Sequence, residues 1–228
     1  MNRQWPDSFD FETDETCRTI FRPFIEDSLK KLEILDTRRP ADADYIFNEH
    51  ARRVATDIHA VCMHMGLGPR IAANMFWATL PHDAGKIKLP PHIWDTVDKP
   101  DDGLKNLRRS HTLLGVEMAH DQLGFNAHPF LNLMTDIMLN HHENMDGSGY
   151  LGKEASQLST PVRLVSIVEA FDGYSIARPH FGDRDLSPAG VIERMRTQKT
   201  GQYDPELLEA FASSKLSCGQ DYSPRHQP

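Results

Sequence analysis

The sequence predicts an all-α bundle of about seven or more helices. Three observations carry that expectation: apolar residues recur at helical spacing in segment after segment, no segment sustains the alternation of a strand, and clusters of Pro, Gly and Asp punctuate the helical stretches. At 228 residues the chain is long enough to bury a full core, and it fits one domain with a short extension better than two complete domains.

Ile20, Phe21, Phe24, Ile25, Leu29 and Leu32 form one stripe between Glu12 and Leu35, which "DTRRPADAD" ends; residues 1–40 are therefore expected to be a helical extension packed on the main domain. A second helix covers about Ala43 to Met65, through Ile46, Val54, Ile58 and Val61, with "GLG" as its stop. A third runs through "RIAANMFWATL" and ends near Pro81. The stretch "KLPPHIWDTVDKPDDG", Lys88 to Gly103, reads as an ordered loop with a short helical turn, rimming a pocket. Helical patterns resume over "LKNLRRSHTLLGVEMAHDQLG", "HPFLNLMTDIMLNHH" and "PVRLVSIVEAFDGYSIA", and weaker ones follow at Pro188 to Arg196 and Pro205 to Ala212. The main domain then spans residues 41–212, and the polar segment 213–228 is expected to be a flexible tail.

The formal charge of -8, from 33 acidic residues against 25 Lys and Arg, argues against a surface for polymeric nucleic acid. Metal ions and a few arginines could still reverse the sign of one cleft. Cys17, Cys62 and Cys218 are odd in number and widely spaced, which disfavours a disulfide framework and a thiolate zinc site and fits a reducing cytoplasm. The acidic start lacks the features of a signal peptide, and no apolar run approaches a membrane span, so a cytoplasmic protein without membrane insertion is expected.

Twelve histidines are present, and their positions say more than their number. His50 in "NEHARRVA", His82 and Asp83 in "PHDAGK", His111 in "RRSHTLLG" and the pair His141 and His142 each fall in a predicted helix or at its end. Phe130, Met134, Met138 and His141 share one stripe, which points His141 inward, where it needs a polar partner or a metal. Glu169 interrupts the apolar helix beside Ile167, Val168 and Phe171, and a carboxylate there is costly unless paired or metal-bound. A lone His50 or His111 is more often a structural histidine than a ligand; their recurrence on separate helical segments together with two acids is what favours a metal centre. Such a donor set suits Fe or Mn, with Zn open, and could hold two ions roughly 3.5–4 Å apart, the geometry of phosphoester hydrolysis.

Lys86, after "HDAG", could reach either a phosphate oxygen or an acidic ligand. Gly147 and Gly149 in "DGSGY" suit a tight turn and a close backbone approach, to phosphate or to the helix carrying His142. Tyr150 could stack on a base or pack locally.

These segments together resemble the HD-GYP branch of the HD phosphohydrolases, over roughly residues 43–212. The family's ordered elements appear as "HARRV" at 50–54, "HDAGK" at 82–86, His111, "HHENMDGSGYL" at 141–151, "EAFDG" at 169–173 and "RPH" at 178–180. The resemblance implies an HD-domain helical bundle with two or sometimes three metals that hydrolyses a cyclic dinucleotide, chiefly cyclic di-GMP, to linear pGpG or GMP. It assigns His50, His82, Asp83, His111, His141, His142 and Glu169 to the metal cluster, with Fe or Mn favoured and Zn, Ni or Mg open. Asp83 and Lys86 become the catalytic groups, and Lys86, Arg178 and Tyr150 the substrate contacts. Glu143, Asp146, Gly147, Gly149 and Asp172 support the motif, Glu143 and Asp146 by orienting ligand imidazoles.

Several positions depart from the family pattern. Ile46 stands where the three-metal version has glutamate, which favours two metals; Glu169 replaces the usual aspartate; Leu151 replaces the proline of "GYP"; and Phe181 stands where some members carry a basic residue. Two other functions are compatible with these residues: hydrolysis of a different nucleotide or phosphate ester, and cyclic-dinucleotide binding without turnover. A signalling-protein partner or a homodimer would supply regulation, because the N-terminal stretch is short for a sensory domain.

Overall fold

The computed structural model describes residues 3–40, 43, 45–96, 99–124, 127–176 and 183–217. It is all-α, and the one strand-like feature among the described residues is an isolated bridge between Asp146 and Glu154. The helices are α1 (Arg22–Asp36), α2 (Phe47–His64), α3 (Gly68–Thr79), α4 (Asp102–Arg109), α5 (His111–Leu123), α6 (Pro129–Asn140), α7 (Thr160–Tyr174), α8 (Pro188–Gln198) and α9 (Pro205–Ser217). Pro23, Pro69, Pro129, Pro161 and Pro188 sit in first turns, where the missing N–H costs nothing. The side chains of Asp101, Ser159 and Ser187 cap α4, α7 and α8 by accepting from Leu104, Val162 and Gly190 N–H groups. Among the described residues no helix is long and apolar enough to cross a membrane.

Helix α2 is the hub and packs against α1, α3, α7 and α9, while α6 lies against α3, α5 and α7. The segment before α1 enters this core. Phe9, Phe11 and Phe21 place their ring centroids 5.9, 4.6 and 5.1 Å from that of fully buried Phe130 on α6. Asn74 fastens the same segment: its amide donates to the Pro6 and Phe9 carbonyls and accepts from Phe11 N–H, so a buried polar side chain is fully satisfied. Removing the Phe130 ring would cost about 3–5 kcal/mol.

Two glycines set the distance between the halves of the bundle. After α3 the chain makes a short 3₁₀ helix, Ala84–Lys88, which crosses α5 with Gly85 against Gly115. A Cβ on Gly85 would lie 1.9 Å from the His111 carbonyl oxygen and 2.5 Å from Gly115 N, so only glycine allows this approach. The contact carries His111 toward Asp83.

Two expectations are corrected. The continuous helical pattern over residues 104–124 is broken at Ser110, whose hydroxyl donates to the Leu107 carbonyl, and the helix restarts at His111. The tail does not begin at Ser213: α9 continues to Ser217 because Ser214 is buried and Lys215 pairs with Asp57 on α2 at 2.6 Å. The proline-rich loop supplies the expected short turn, Pro91–Ile93, and brings Trp94 beside His111, with ring centroids 6.1 Å apart.

Candidate metal centre

Asp83 lies at the middle of the bundle, fully buried, with its two oxygens facing different groups of imidazoles. Oδ2 is 3.6 Å from His50 Nε2 and 3.7 Å from His82 Nε2. Oδ1 is 3.2 Å from His111 Nε2 and 3.7 Å from His141 Nε2. Glu169 joins the first group, with Oε2 at 2.8 Å from His50 Nε2 and 3.3 Å from His82 Nε2. His142 joins the second, its ring 4.2 Å from that of His141 and 5.3 Å from that of His111. One carboxylate therefore bridges two donor sets, {His50, His82, Glu169} and {His111, His141, His142}.

The outer hydrogen bonds decide which nitrogen faces inward. His82 Nδ1 meets the Thr79 carbonyl at 2.8 Å, His111 Nδ1 the Arg108 carbonyl at 2.6 Å, and His141 Nδ1 the Ile137 and Met138 carbonyls at 3.1 and 3.0 Å. A carbonyl only accepts, so these nitrogens carry the protons and each Nε2 lone pair points to the centre. The break at Ser110 and the end of α6 at Asn140 create the last-turn carbonyls that make this possible. His50 Nδ1 instead meets Asp172 Oδ2 at 2.7 Å.

The result is a set of donors with too few protons. Nε2 of His50 lies 3.2 Å from that of His82, and Nε2 of His111 lies 3.3 Å from that of His141. Asp83 Oδ1 and Glu169 Oε2 are buried and accept no hydrogen bond of good geometry, although imidazole nitrogens stand close by. Converging lone pairs and under-satisfied carboxylate oxygens are what a divalent cation relieves, and N and O donors without thiolate suit Fe, Mn or Zn. The residues present fit one or two such ions.

The electrostatics agree. Burial disfavours the charge on Asp83, but Lys86, His82 and His111 overcome it and hold the carboxyl well below the usual range. Burial likewise opposes ionisation of Glu169, and His50 and His82 reverse it. Burial also works against a charge on His50, yet Glu169, Asp172 and Asp83 push it up to about 9. Burial, reinforced by the neighbouring imidazoles, holds His141 well below its ordinary value. His142 is brought down to about 3 by burial, which prevails over the upward pull of Glu169 and Asp83 with smaller help from His111 and Lys86. Neutral His141 and His142 beside ionised Asp83 and Glu169 are the ligand forms metals require, whereas His50, protonated in the metal-free protein, would have to release its Nε2 proton to bind one.

Lys86 Nζ lies 2.5 Å from Asp83 Oδ2, so of its two expected roles the structure displays the contact with an acidic group. The ammonium is buried among the rings of Phe47, Tyr45 and Trp94, at 4.4, 5.3 and 5.3 Å from their centroids. Tyr150 stacks on His142 at 4.4 Å, and the exposed Arg109 guanidinium lies over the Tyr150 ring at 5.0 Å. The carboxylate that orients an imidazole is Asp172. Glu143 instead accepts from Leu151 and Lys153 N–H groups at 2.7 and 2.8 Å, pinning the loop that follows the histidine pair. Asp146 accepts from Ser148 N–H and hydroxyl within its own turn. Gly147 has φ 75, and a Cβ on Gly149 would lie 2.5 Å from Glu143 Cα, so the close approach here is to Glu143. Arg178 and Phe181 lie outside the described residues.

Arg53, which composition and spacing did not single out, grips Asp172 with Nε and Nη2 at 2.7 and 2.9 Å. Its signal was available: it follows His50 by three residues and so shares that face of α2. A separate trio, Asp14, Cys17 and His128, also clusters. There His128 Nδ1 accepts from Phe130 N–H, leaving the ring proton on Nε2, 3.3 Å from Asp14, so this group is closed by its own hydrogen bonds.

Fold and site together define a class: an all-helical domain built around a buried His–Asp centre for divalent cations. A family model described as "HD domain" matches residues 40–207, and the chain belongs to the HD domain family. It is 26% identical over 203 residues to a cyclic di-GMP phosphodiesterase of Thermotoga maritima, covering 88% of this chain and 52% of that protein. It is 24% identical over 200 residues to 3'3'-cGAMP-specific phosphodiesterase 1 of Vibrio cholerae, covering 83% of this chain and 44% of that protein. The chain thus spans about half the length of these curated relatives. Among solved structures, Bd1817, an HDG"Y"P protein from Bdellovibrio bacteriovorus, superposes with a TM-score of 0.60 at 17% identity, covering 92% of this chain and 65% of that one. The L. monocytogenes phosphodiesterase PgpH HD domain in complex with cyclic-di-AMP gives 0.56 at 16% identity, covering 89% and 100%. At these identities the structural likeness speaks for the fold.

Proposed function

We propose that this chain is a metal-dependent phosphodiesterase of the HD-GYP type that hydrolyses a cyclic dinucleotide, cyclic di-GMP foremost. The observation that carries the proposal is Asp83, one buried carboxylate with an oxygen turned to each of two imidazole sets. Two divalent ions, Fe or Mn by donor type, would be held by His50, His82, Glu169 and Asp83 and by His111, His141, His142 and Asp83. Ions in such a pair polarise a phosphoryl oxygen and lower the pKa of water.

The chain's own groups do the rest. The Thr79, Arg108, Ile137 and Met138 carbonyls keep the Nε2 atoms available, and Lys86 keeps Asp83 ionised. Tyr150 braces His142 by stacking, and Arg109 above it offers a guanidinium for a substrate phosphate. Arg178 is proposed as a further phosphate contact from its motif position. In the overall reaction water adds to phosphorus, the bond from phosphorus to the ribose 3'-oxygen breaks, and the 3'-hydroxyl leaves with a proton. One turnover gives the linear dinucleotide and a second gives mononucleotides. Relatives named for cyclic di-GMP and for 3'3'-cGAMP support the substrate class, and the cyclic di-GMP names favour that member. A cytoplasmic location, with a signalling protein or a second copy as partner, completes the proposal.

The test is anaerobic purification with metal analysis, followed by chromatography of products from cyclic di-GMP, 3'3'-cGAMP and cyclic di-AMP. Two ions per chain and a linear product from cyclic di-GMP are expected, with both lost in Asp83→Ala. Unabated cleavage by metal-verified Asp83→Ala, or no cleavage of any cyclic dinucleotide by the two-metal protein, would sink the proposal.

A further inference from the structure

Three of the four imidazoles with assigned outer bonds spend Nδ1 on main-chain carbonyls, which are neutral and fixed by their helices. His50 spends its Nδ1 on a carboxylate, Asp172, whose orientation depends on side chains alone. Helices α2 and α7 interlock here through two residues from each. His50 and Arg53 project from α2 toward Glu169 and Asp172 on α7, with Glu169 on His50 Nε2 at 2.8 Å and Asp172 on His50 Nδ1 at 2.7 Å. Arg53 then takes both Asp172 oxygens in a fork, Nε to Oδ1 at 2.7 Å and Nη2 to Oδ2 at 2.9 Å.

The fork determines where Asp172 Oδ2 points. Asp172 is 7% exposed and its two oxygens are held by Arg53 and His50, so without the fork the carboxylate is free to rotate and the His50 ring loses its fixed orientation. The other donor set has no such dependence, because the His111 and His141 rings are held by backbone and His142 is braced by Tyr150.

We infer that Arg53 is a positioning residue for one half of the metal centre: through Asp172 it sets the cation affinity of the His50, His82 and Glu169 half and leaves the His111, His141 and His142 half unaffected. The two halves are therefore tuned separately, one by a charged side-chain chain that reaches the surface at Arg53, whose side chain is 19% exposed, and one by main-chain carbonyls and the Tyr150 ring. This inference rests on the reading of the centre as two cation sites.

The experiment is a titration of the chelator-stripped full chain with Mn²⁺ alone, read by calorimetry and by the Mn²⁺ electron paramagnetic resonance signal. It compares wild type with Arg53→Gln, Arg53→Lys, Asp172→Asn, the Arg53→Gln/Asp172→Asn double variant and His142→Ala. Wild type is expected to take up two ions. In Arg53→Gln one site should weaken on the order of 10–100-fold and the other change by less than about twofold. Asp172→Asn should weaken that same site, and the double variant should be no worse than Asp172→Asn alone, because Arg53 acts through Asp172. Arg53→Lys should recover part of the loss, since an ammonium reaches one oxygen where the fork reaches two. His142→Ala should weaken the opposite site. Should Arg53→Gln fail to fold by circular dichroism, Arg53→Lys and Asp172→Asn decide the matter. Equal weakening of both sites, no weakening of either, or additive losses in the double variant overturn the inference. Fewer than two ions in wild type overturns the two-site reading itself and the inference with it, a result distinct from two ions in wild type and an indifferent Arg53.

Discussion

Gly85→Ala is the sharpest perturbation available, because it alters the centre without replacing any candidate ligand. A Cβ at this position would lie 1.9 Å from the His111 carbonyl oxygen, so α5 must retreat by about 1.5 Å to reach an ordinary 3.4 Å contact. His111 begins α5 and moves with it. Its Nε2 now sits 3.2 Å from Asp83 Oδ1, and metal–ligand distances tolerate only about 0.2 Å of error. Overpacking of this kind also costs roughly 1–3 kcal/mol of stability. The expected result is loss of the ion held by His111, His141 and His142, at least a tenfold loss of phosphodiesterase activity, and a melting temperature lowered by a few degrees. Metal analysis and a thermal melt on one sample measure these together. A variant that keeps two ions and wild-type turnover would show that the Gly85–Gly115 contact does not set the position of His111.

Glu169→Asp, which installs the family's usual residue, should weaken the His50 half, because removing a methylene withdraws the oxygen now 2.8 Å from His50 Nε2 by about 1.5 Å; Mn²⁺ titration tests this. Arg109→Ala should raise KM for cyclic di-GMP about tenfold with kcat nearly unchanged, and should leave hydrolysis of the small diester bis(p-nitrophenyl) phosphate unaltered; steady-state kinetics on both substrates decides it. In the metal-free protein His50 is raised from 6.5 to about 9, so its contribution, roughly 3 kcal/mol, is complete below pH 6.5 and is lost as pH rises through 9. His142 is lowered from 6.5 to about 3, so stability also falls as pH drops from 6.5 toward 3, where the unfolded chain takes a proton that the folded chain refuses. Chelator-treated protein should therefore melt highest near pH 6.5, and a flat profile from pH 5 to 9 would contradict both assignments.

Local pattern was enough to reveal the helices and the inward direction of His141, because a 3.6-residue period states which face is buried. It also flagged Glu169, since a carboxylate in an apolar run announces itself by its cost. What local pattern could not convey was mutual position. That Asp83 turns one oxygen to each imidazole set depends on the Gly85–Gly115 crossing, and neither glycine signals a partner on another helix. The break at Ser110 was hidden by good helix formers on both sides, although it is this break that offers the Arg108 carbonyl to His111. Glu143 and Asp172 looked interchangeable as supporting acids. Only the fold separates them, giving one to a loop backbone and the other to His50. The polar composition after Ser213 suggested a tail, yet an ion pair to Asp57 and the burial of Ser214 keep that turn helical.

The packing of Phe9, Phe11 and Phe21 on Phe130 separates two boundaries that are easily equated. The family match opens at residue 40, whereas the hydrophobic interior draws on residues from Phe9 onward. The domain match thus covers the helices that carry the candidate ligands, while the unit that folds as one body includes a stretch outside that match. A fragment trimmed to the match would keep every candidate ligand and lay bare the aromatic face of α6, so its failure would report on solubility and leave the chemistry of the centre untested.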